Sequence, residues 1–318
     1  MARSDYRGRV PFLVLLVITA LWLFNRHNKG TGTKEQGISL LANSKTSYQS
    51  VAFPERDPPA RIIDCFLFNN ELDMLEFRLK TLDPVVDIFV ISEAKTTFSG
   101  RPKDLFFEQN RKRYEPYLHK IRHVIIEDPK KQAGAWQNEA TQRDTSKEVL
   151  ATLEPSLNPY DLILHMDVDE VPDPRTLQAL KNHGVLRGVY YLGMDLYYFS
   201  FRYKTKDEWR YPKIVDVKTF LKESTMTFTS LREMKAPLVP LRGGWHMSYF
   251  GDVEFIRTKL NSFSHQNFNT PQINNPEHIQ AAIENGHDLF GRANIVIEKI
   301  DPEDNPYLPE HYMLLHKT

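Results

Sequence analysis

The segment that decides the fold is residues 161–172, which reads DLILHMDVDEVP. Its first six residues form an almost continuous apolar run of strand length, the pattern of a strand buried on both faces of a sheet. The acidic residues Asp167 and Asp169 follow this strand directly. Residues two apart in extended backbone project to one face, so the two carboxylates are expected to converge while Val168 points away.

Upstream of this strand, short apolar runs alternate with helical patterns. Leucines at 72, 75, 79 and 82 give the spacing of an amphipathic helix. Such alternation predicts an α/β fold with a mainly parallel, Rossmann-like sheet and covering helices, with its site beyond the carboxyl ends of the strands. The predicted strands are 62–68, 85–92, 121–126 and 161–166, and the predicted helices between them are 71–82, 104–114 and 136–153.

The second half of the chain is less regular. Residues 188–203 and 213–220 are rich in aromatic and alternating residues, which predicts antiparallel strands. Helical patterns follow at 252–260 and 277–285. No internal repeat interrupts this part, so we expect it to complete a single domain that begins at residue 61 and runs to residue 318.

Composition excludes several classes of protein. The 41 Lys and Arg residues balance the 41 Asp and Glu residues, so the chain lacks the basic excess of a nucleic-acid-binding protein. The single cysteine, Cys65, excludes an intrachain disulfide and a cysteine-based zinc site. Neither a dinucleotide-binding glycine motif nor a Walker loop occurs. An EF-hand starting at Asp167 is excluded because Pro172 and Gln178 stand where Gly and Glu are required.

The N-terminus carries an uncharged segment, VPFLVLLVITALWLF, at residues 10–24. As a helix it would be about 22 Å long, short of the roughly 30 Å hydrocarbon core. Three arginines precede it, which favours a cytoplasmic N-terminus. We interpret it as an uncleaved signal anchor; a cleaved signal peptide and a buried hydrophobic helix are the alternatives. The expected order is a cytoplasmic tail (1–9), an anchor (10–24), a flexible stem (25–60) and the folded domain.

The two aspartates after the fourth predicted strand carry the clearest chemical signal. Carboxylate oxygens at a strand end suit Mg²⁺ or Mn²⁺ shared with substrate phosphates. A bare Asp-x-Asp is common in acidic loops, but its place at the end of this strand makes it specific. A solvated acidic turn or a helix cap is the alternative interpretation.

Six blocks of the chain, taken in order, carry a resemblance: 64–73 (DCFLFNNELD), 86–93 (VDIFVISE), 97–100 (TFSG) with Pro102 and Lys103, 167–172 (DVDEVP), 244–246 (GWH) and 285–290 (NGHDLF). Together they resemble glycosyltransferase family 17 over residues 62–292. The resemblance implies a GT-A-like fold, a UDP-GlcNAc donor and a mannose of a glycoprotein N-glycan as acceptor, joined in β-1,4 linkage. It also implies a divalent metal and a type II Golgi membrane protein whose catalytic domain is lumenal. We expect Mn²⁺ over Mg²⁺, and the identity of the ion stays open at this level.

With this resemblance, the metal ligands are predicted to be Asp167 and Asp169, with His246 as a third ligand or a diphosphate contact. A lone histidine is more often a satisfied core or surface residue, and His265 is the fallback ligand. The inverting reaction that the family implies needs a proton acceptor on the acceptor hydroxyl. Its candidates, in order, are Asp252, Glu254 and Glu170, although an acid at a helix N-terminus is also explained by the helix dipole.

The donor is expected to contact residues near the carboxyl ends of the first strands and the glycine-rich segment before His246. The alternative interpretation of Glu93 is an exposed loop acid, and that of Arg143 is an exposed helix arginine. The predicted donor-binding residues are Glu93 for the nucleoside, Arg143, Arg101 and Lys103 for phosphates, and Trp245 for stacking on a sugar.

Two other functions fit parts of the pattern. A metal-dependent phosphohydrolase would use Asp167 as nucleophile and Asp169 as acid, but it normally carries the acidic pair after the first strand. A membrane-anchored carbohydrate-binding protein without catalysis would use the aromatic residues and leave the acidic pair without a role. The oligomeric state and the exact acceptor glycan stay open at this level.

Overall fold

The computed structural model describes residues 56–127, 134–153, 156–183, 186–222 and 225–315. Within these ranges the chain has a mixed α/β fold with one six-stranded and one five-stranded sheet. The predicted tail, the predicted anchor and most of the predicted stem lie outside them. In the described ranges, no helix is both long enough and apolar enough to cross a membrane.

The helices and strands occupy the following segments of the described chain. The strands are β1 (Ile62–Phe68), β2 (Ile88–Ala94), β3 (Ile121–Ile126), β4 (Leu162–His165), β5 (Glu170–Pro172), β6 (Val189–Tyr191), β7 (Met194–Tyr198), β8 (Tyr203–Trp209), β9 (Lys213–Asp216), β10 (Gly244–Ser248) and β11 (Ile297–Lys299). The α-helices are α1 (Leu72–Leu82), α2 (Phe106–Gln109), α3 (Ala135–Leu150), α4 (Pro174–Asn182), α5 (Val217–Lys222), α6 (Phe228–Glu233), α7 (Val253–Ser262) and α8 (Pro276–Asn285).

The first sheet has the strand order β3-β2-β1-β4-β9-β6. The strands β1 to β4 pair in parallel, as their alternation with helices predicts, and β9 and β6 extend the sheet in antiparallel fashion. Its central strands are buried along almost their whole length, which accounts for their largely apolar sequence. The predicted parallel core is therefore confirmed, and its carboxyl edge lies next to the acidic segment after β4.

The predicted helix at 104–114 is wrong. The chain forms only the four-residue α2 and then a 3₁₀ helix at Arg111–Tyr117. Asn110 ends α2 with φ −110°, and its side chain donates to the carbonyl of Phe106 at 2.8 Å. This local side-chain bond competes with the regular helical pattern, so the charged sequence does not continue as one helix.

The second sheet has the order β11-β8-β7-β10-β5. The predicted antiparallel pairing holds for β7 with β8, but β7 pairs with β10 in parallel. The predicted strand at 213–220 ends early because the carboxylate of Asp216 accepts hydrogen bonds from the backbone and hydroxyl of Thr219, which starts α5. Gly244 has φ +127°, and a Cβ there would lie 2.2 Å from the carbonyl oxygen of Val171, so only glycine lets β10 approach β5.

The described part of the predicted stem, residues 56–60, is attached to the folded domain. The backbone of Arg56 donates to Asn182 at 2.7 Å, and its guanidinium donates to the carbonyl of Tyr160 at 3.2 Å. Ala60 is 1% exposed and donates to the carbonyl of Lys181 at 3.0 Å. The packed part of the chain therefore includes residues that the sequence assigned to the stem.

A chain beginning at Arg56 is expected to be more stable than one beginning at Arg61. Removing 56–60 deletes these hydrogen bonds and the burial of Ala60, a loss of about 2 kcal/mol that corresponds to roughly 4–8 °C in melting temperature. Thermal unfolding of the two chains measures the difference. Equal melting temperatures would show that 56–60 contributes nothing to the fold.

Candidate functional site

A buried arginine shapes the segment that carries the two aspartates. Arg78 on α1 and Asp64 on β1 are both fully buried and joined by two hydrogen bonds of 2.8 and 2.6 Å. The remaining terminal nitrogen of Arg78 donates to three backbone carbonyls, those of Asp167, Val168 and Glu170. The guanidinium thus donates to carbonyls at the junction between β4 and β5, which fixes the backbone of the acidic segment.

This backbone is a turn and not the extended strand that the sequence predicts. The amide of Glu170 donates to the carbonyl of Asp167 at 3.0 Å, and the carboxylate of Glu170 in turn accepts from the amide of Asp167 at 2.7 Å. Glu170 therefore folds back beneath Asp167, although extended geometry predicted that it faces away. The turn also carries the chain from β4 in the first sheet to β5 in the second.

Asp167 is held by two arginines from the first sheet's side. Its carboxylate accepts from Arg143 on α3 at 3.0 Å and from Arg232 on α6 at 2.6 Å. Burial raises the pKa of Asp167, but Arg232 and then Arg143 overcome this effect and hold the pKa below its usual range. The two arginines therefore keep the carboxylate of Asp167 ionised, and its side chain stays 37% exposed.

Asp169 contacts a lysine on α7 and a histidine on β10, a strand of the second sheet. One of its oxygens accepts from Lys259 on α7 at 2.7 Å, and the other lies 3.7 Å from Nε2 of His246 on β10. Burial opposes ionisation, but Lys259 and His246 together keep the pKa of Asp169 well below its usual range. Asp167 and Asp169 thus remain ionised side by side while different elements hold each of them.

The three candidates for the proton acceptor occupy different environments. Glu170 is fully buried, and its carboxylate accepts from both terminal nitrogens of Arg232 and from the indole of Trp209. Asp252 is the N-cap of α7 and accepts from the amide of Phe255 at 2.8 Å. Glu254 is 74% exposed and pairs with Arg257 at 2.9 Å. Asp252 precedes Lys259 by seven residues, about 10 Å along the helix axis, so it lies at the far end of α7 from the acidic pair.

Three of the five predicted donor contacts are enclosed by protein: Glu93, Trp245 and Lys103, whose side chain is 7% exposed. Glu93 is fully buried, and its carboxylate accepts from the amide of Phe107 at 3.1 Å, from Nε2 of His123 at 3.1 Å and from Lys103 at 3.4 Å. Burial lowers the pKa of Lys103. Trp245 is 2% exposed and donates to the carbonyl of Tyr307, so its ring lies in the core. Neither Glu93 nor Trp245 presents its side chain to a ligand as predicted.

The other two predicted donor contacts are differently placed. Arg143 lies at the acidic pair, where it also pairs with Glu139 at 2.6 Å and contacts Nε2 of His165 at 3.2 Å. Burial lowers the pKa of His165, so the neutral ring accepts from Arg143. Arg101 is an exposed loop residue.

The side chains at this site have the chemistry of a divalent-ion site. Carboxylate oxygens and an imidazole are ligands that Mn²⁺ accepts, and Nδ1 of His246 is buried without a hydrogen-bond partner in the described chain. As they stand, however, no three His, Cys, Asp or Glu side chains of the described residues are grouped as ligands around one position. An ion at Asp169 would compete with Lys259 for the same carboxylate. The fallback ligand, His265, is packed against Trp136 with ring centroids 4.4 Å apart.

The cations Arg232 and Lys259 were missed by the sequence analysis. Both stand on the apolar stripe of a short helix: Arg232 is four residues after the buried Phe228, and Lys259 is three residues after the buried Ile256. A cation at such a position must find a partner in the interior. That signal was present in the sequence, although it does not identify the partner.

A mixed α/β fold with an ionised acidic pair beyond the carboxyl edge of its parallel strands is the arrangement expected of an α/β glycosyltransferase. The family model described as glycosyltransferase family 17 matches residues 41–296. The chain belongs to glycosyltransferase family 17, and the resemblance seen in the sequence is confirmed.

Individual relatives match a shorter segment. The β-1,4-mannosyl-glycoprotein 4-β-N-acetylglucosaminyltransferase of Rattus norvegicus is 29% identical over 121 residues, which are 37% of this chain and 22% of that protein. The protein of the same name from Homo sapiens is 29% identical over 121 residues, 37% of this chain and 23% of that protein. The alignments thus span less than a quarter of the length of these relatives.

Proposed function

We propose that the protein transfers N-acetylglucosamine from UDP-GlcNAc to a mannose of a glycoprotein N-glycan in β-1,4 linkage, with inversion at the sugar C1 and on a GT-A-like fold. The observation that carries this proposal is the ionised pair Asp167 and Asp169 in a turn fixed by Arg78. The names of the two relatives support N-acetylglucosamine as the sugar and a mannosyl glycoprotein as the acceptor. The predicted anchor at 10–24 supports a Golgi membrane location with the catalytic domain in the lumen.

Transfer breaks the bond between C1 of the sugar and the diphosphate, which leaves negative charge on the leaving group. In the proposal Arg143 and Arg232 lie beside that group and stabilise this charge, because fixed cations in a partly dry site act strongly. A divalent ion, Mn²⁺ rather than Mg²⁺, would be held by Asp167 and Asp169 with His246, and it would supply a Lewis acid for the diphosphate. The buried contacts of Arg143 and Arg232 keep both side chains oriented before the substrate binds.

The proposal is tested with the full chain in detergent and a set of nucleotide sugars offered with a truncated N-glycan. We expect one N-acetylglucosamine to be added from UDP-GlcNAc alone, with a β-1,4 linkage in the product. The reaction should depend on Mn²⁺ after treatment with a chelator. Release of phosphate from monoesters without sugar transfer would favour the phosphohydrolase, and glycan binding without transfer would favour the carbohydrate-binding protein.

The proton acceptor stays a prediction, and its test compares amide variants of four carboxylates. The expected signature is a loss of turnover by roughly two to four powers of ten with normal UDP binding. The sequence ranks Asp252→Asn first, then Glu254→Gln and Glu170→Gln. The structure adds Glu139→Gln, because Glu139 is 17% exposed and pairs with Arg143 beside Asp167. Normal turnover in a variant eliminates that residue, and weakened UDP binding would show a role on the donor side.

A further inference from the structure

An exposed tryptophan stands on the same helix face as the arginine that holds Asp167. Trp136, in the first turn of α3, is 52% exposed. Glu139 and Arg143 follow at spacings of three and seven residues, so the three side chains lie in one stripe along the helix. Arg143 ends this stripe at the carboxylate of Asp167. The helix rise places Trp136 about 10 Å from Arg143 along the axis, which is more than the width of one sugar ring.

A second route of ring contacts joins Trp136 to the other aspartate. The ring of His265 lies 4.4 Å from that of Trp136 and 6.0 Å from that of Phe268. Phe268 packs on Phe290 at 4.7 Å, and Phe290 packs on Tyr249 at 5.9 Å. The ammonium of Lys259, which holds Asp169, lies 5.5 Å from the centre of the Tyr249 ring. The ring contacts therefore lead from the exposed Trp136 to Tyr249, which is 8% exposed and packs beside Lys259 in the interior.

Two hydrogen bonds connect the helices that precede and carry these rings, α3 with Trp136 and α7, which ends shortly before His265. The side chain of Asn138 on α3 donates to the carbonyl of Phe98 at 2.9 Å, and the hydroxyl of Ser99 donates to the carbonyl of Asn261 on α7 at 2.7 Å. The segment after β2 thereby ties the start of α3 to the end of α7. Trp136 lies in the first turn of α3, and His265 follows the end of α7, so these two connected helices fix the position of the exposed ring.

Charged groups border the rings. Burial lowers the pKa of His265, while the charge of Glu139 acts to raise it and that of Arg292 to lower it. The guanidinium of Arg292 also lies 4.9 Å from the centre of the Phe290 ring. An exposed aromatic ring flanked by hydrogen-bonding groups suits an amphipathic ligand whose apolar face stacks on the ring while its hydroxyls bond to the charges.

We infer that Trp136 and His265 form an acceptor subsite on which a sugar ring of the acceptor oligosaccharide stacks, remote from the sugar that reacts at Asp167 and Asp169. This inference rests on the proposed function, since it takes the acceptor to be a glycan. Along α3 the subsite lies about 10 Å from Arg143, which pairs with Asp167, so an extended oligosaccharide bound at Trp136 can reach toward the acidic pair. Because the subsite and the acidic pair are about 10 Å apart, an extended glycan can contact both and a single sugar cannot, which gives specificity for the extended glycan.

The test is the kinetics of Trp136→Ala in the full chain, with UDP-GlcNAc and a free truncated N-glycan. Loss of the stacking ring should raise the acceptor KM roughly tenfold while kcat and the KM for UDP-GlcNAc stay at their wild-type values. Trp136→Phe, which keeps a ring, should restore most of the acceptor affinity. The matched control is Leu221→Ala, which removes an exposed apolar side chain (40% exposed) on α5, at the opposite end of the sheet.

An unchanged acceptor KM in Trp136→Ala would overturn the inference while leaving the proposed function in place. If the wild-type protein transfers no sugar, the proposed function fails, and titration of the same oligosaccharide by ligand-observed NMR decides the subsite. Binding that weakens in Trp136→Ala but not in Leu221→Ala supports it. Equal binding in the two variants, or none in the wild type, overturns it.

Discussion

Asp167→Asn is expected to reduce sugar transfer by roughly three powers of ten while the protein keeps close to its native stability. The change removes one of the two charges at the acidic pair. It leaves Arg143 paired with Glu139 and Arg232 paired with Glu170, so neither cation is left alone. Turnover with saturating UDP-GlcNAc and Mn²⁺, together with a thermal melt, measures both parts.

Asp169→Asn should lose as much activity and should also be less stable. Lys259 pairs with Asp169 at 2.7 Å, and the side chain of Lys259 is only 20% exposed. The substitution therefore leaves the ammonium of Lys259 without this carboxylate, at a cost of about 2 kcal/mol. The pKa of Asp169 is depressed in the folded state. Its contribution to stability is therefore full above the unfolded pKa of about 3.9 and is lost as the pH falls below that value.

The double variant Asp169→Asn with Lys259→Met separates the two effects. Removing the stranded ammonium should recover most of the stability and none of the activity. Asp252→Ala serves as a stability control, because it deletes an exposed N-cap at a cost of about 1 kcal/mol. Full transfer activity in either single aspartate variant would contradict the proposed role of the pair.

Arg78→Met is expected to produce the largest loss of stability. The substitution leaves the carboxylate of Asp64 buried without its partner and deprives three carbonyls of the acidic segment of their donor. Breaking a buried pair in this way costs about 3–5 kcal/mol, or roughly 10 °C in melting temperature. Arg78→Lys should recover little, because a single ammonium cannot bond the carboxylate in two places and also reach the carbonyls.

The double variant Asp64→Leu with Arg78→Met tests whether Arg78 positions the acidic segment as well as stabilising the fold. Replacing the whole pair with apolar side chains should restore much of the stability. The turn from Asp167 to Glu170 would still lack its donor, so kcat should remain low. If this variant is both stable and fully active, the guanidinium is not needed to shape the turn.

The sequence predicted the elements that are governed by local pattern. The strands β1 and β3 have the bounds that their apolar runs indicate, and the parallel pairing of β1 to β4 follows from their alternation with helices. Side-chain hydrogen bonds overrode the pattern elsewhere. The side chain of Asn110 ends the predicted helix at 104–114, and the carboxylate of Asp216 ends the predicted strand at 213–220.

The contacts of the site were much less predictable. The acidic pair was predicted because two carboxylates at the end of a strand are typical of a divalent-ion site. Arg78, Arg232 and Lys259 reach it from three separate helices, and no spacing in the chain connects them with Asp167 or Asp169. The burial of Trp245 also depends on the distant Tyr307, whose carbonyl accepts from its indole. Long-range partners of this kind are set by tertiary packing.

The turn between β4 and β5 has a mechanical consequence. Asp167 is fastened to helices of the first sheet and Asp169 to elements of the second, so a sliding of one sheet against the other would pull the two acids apart. A ligand that binds both Asp167 and Asp169 would therefore stabilise the contact between the two sheets. We expect that mild denaturant, by weakening the contact between the two sheets, abolishes catalytic activity at a lower concentration than the one that unfolds either sheet.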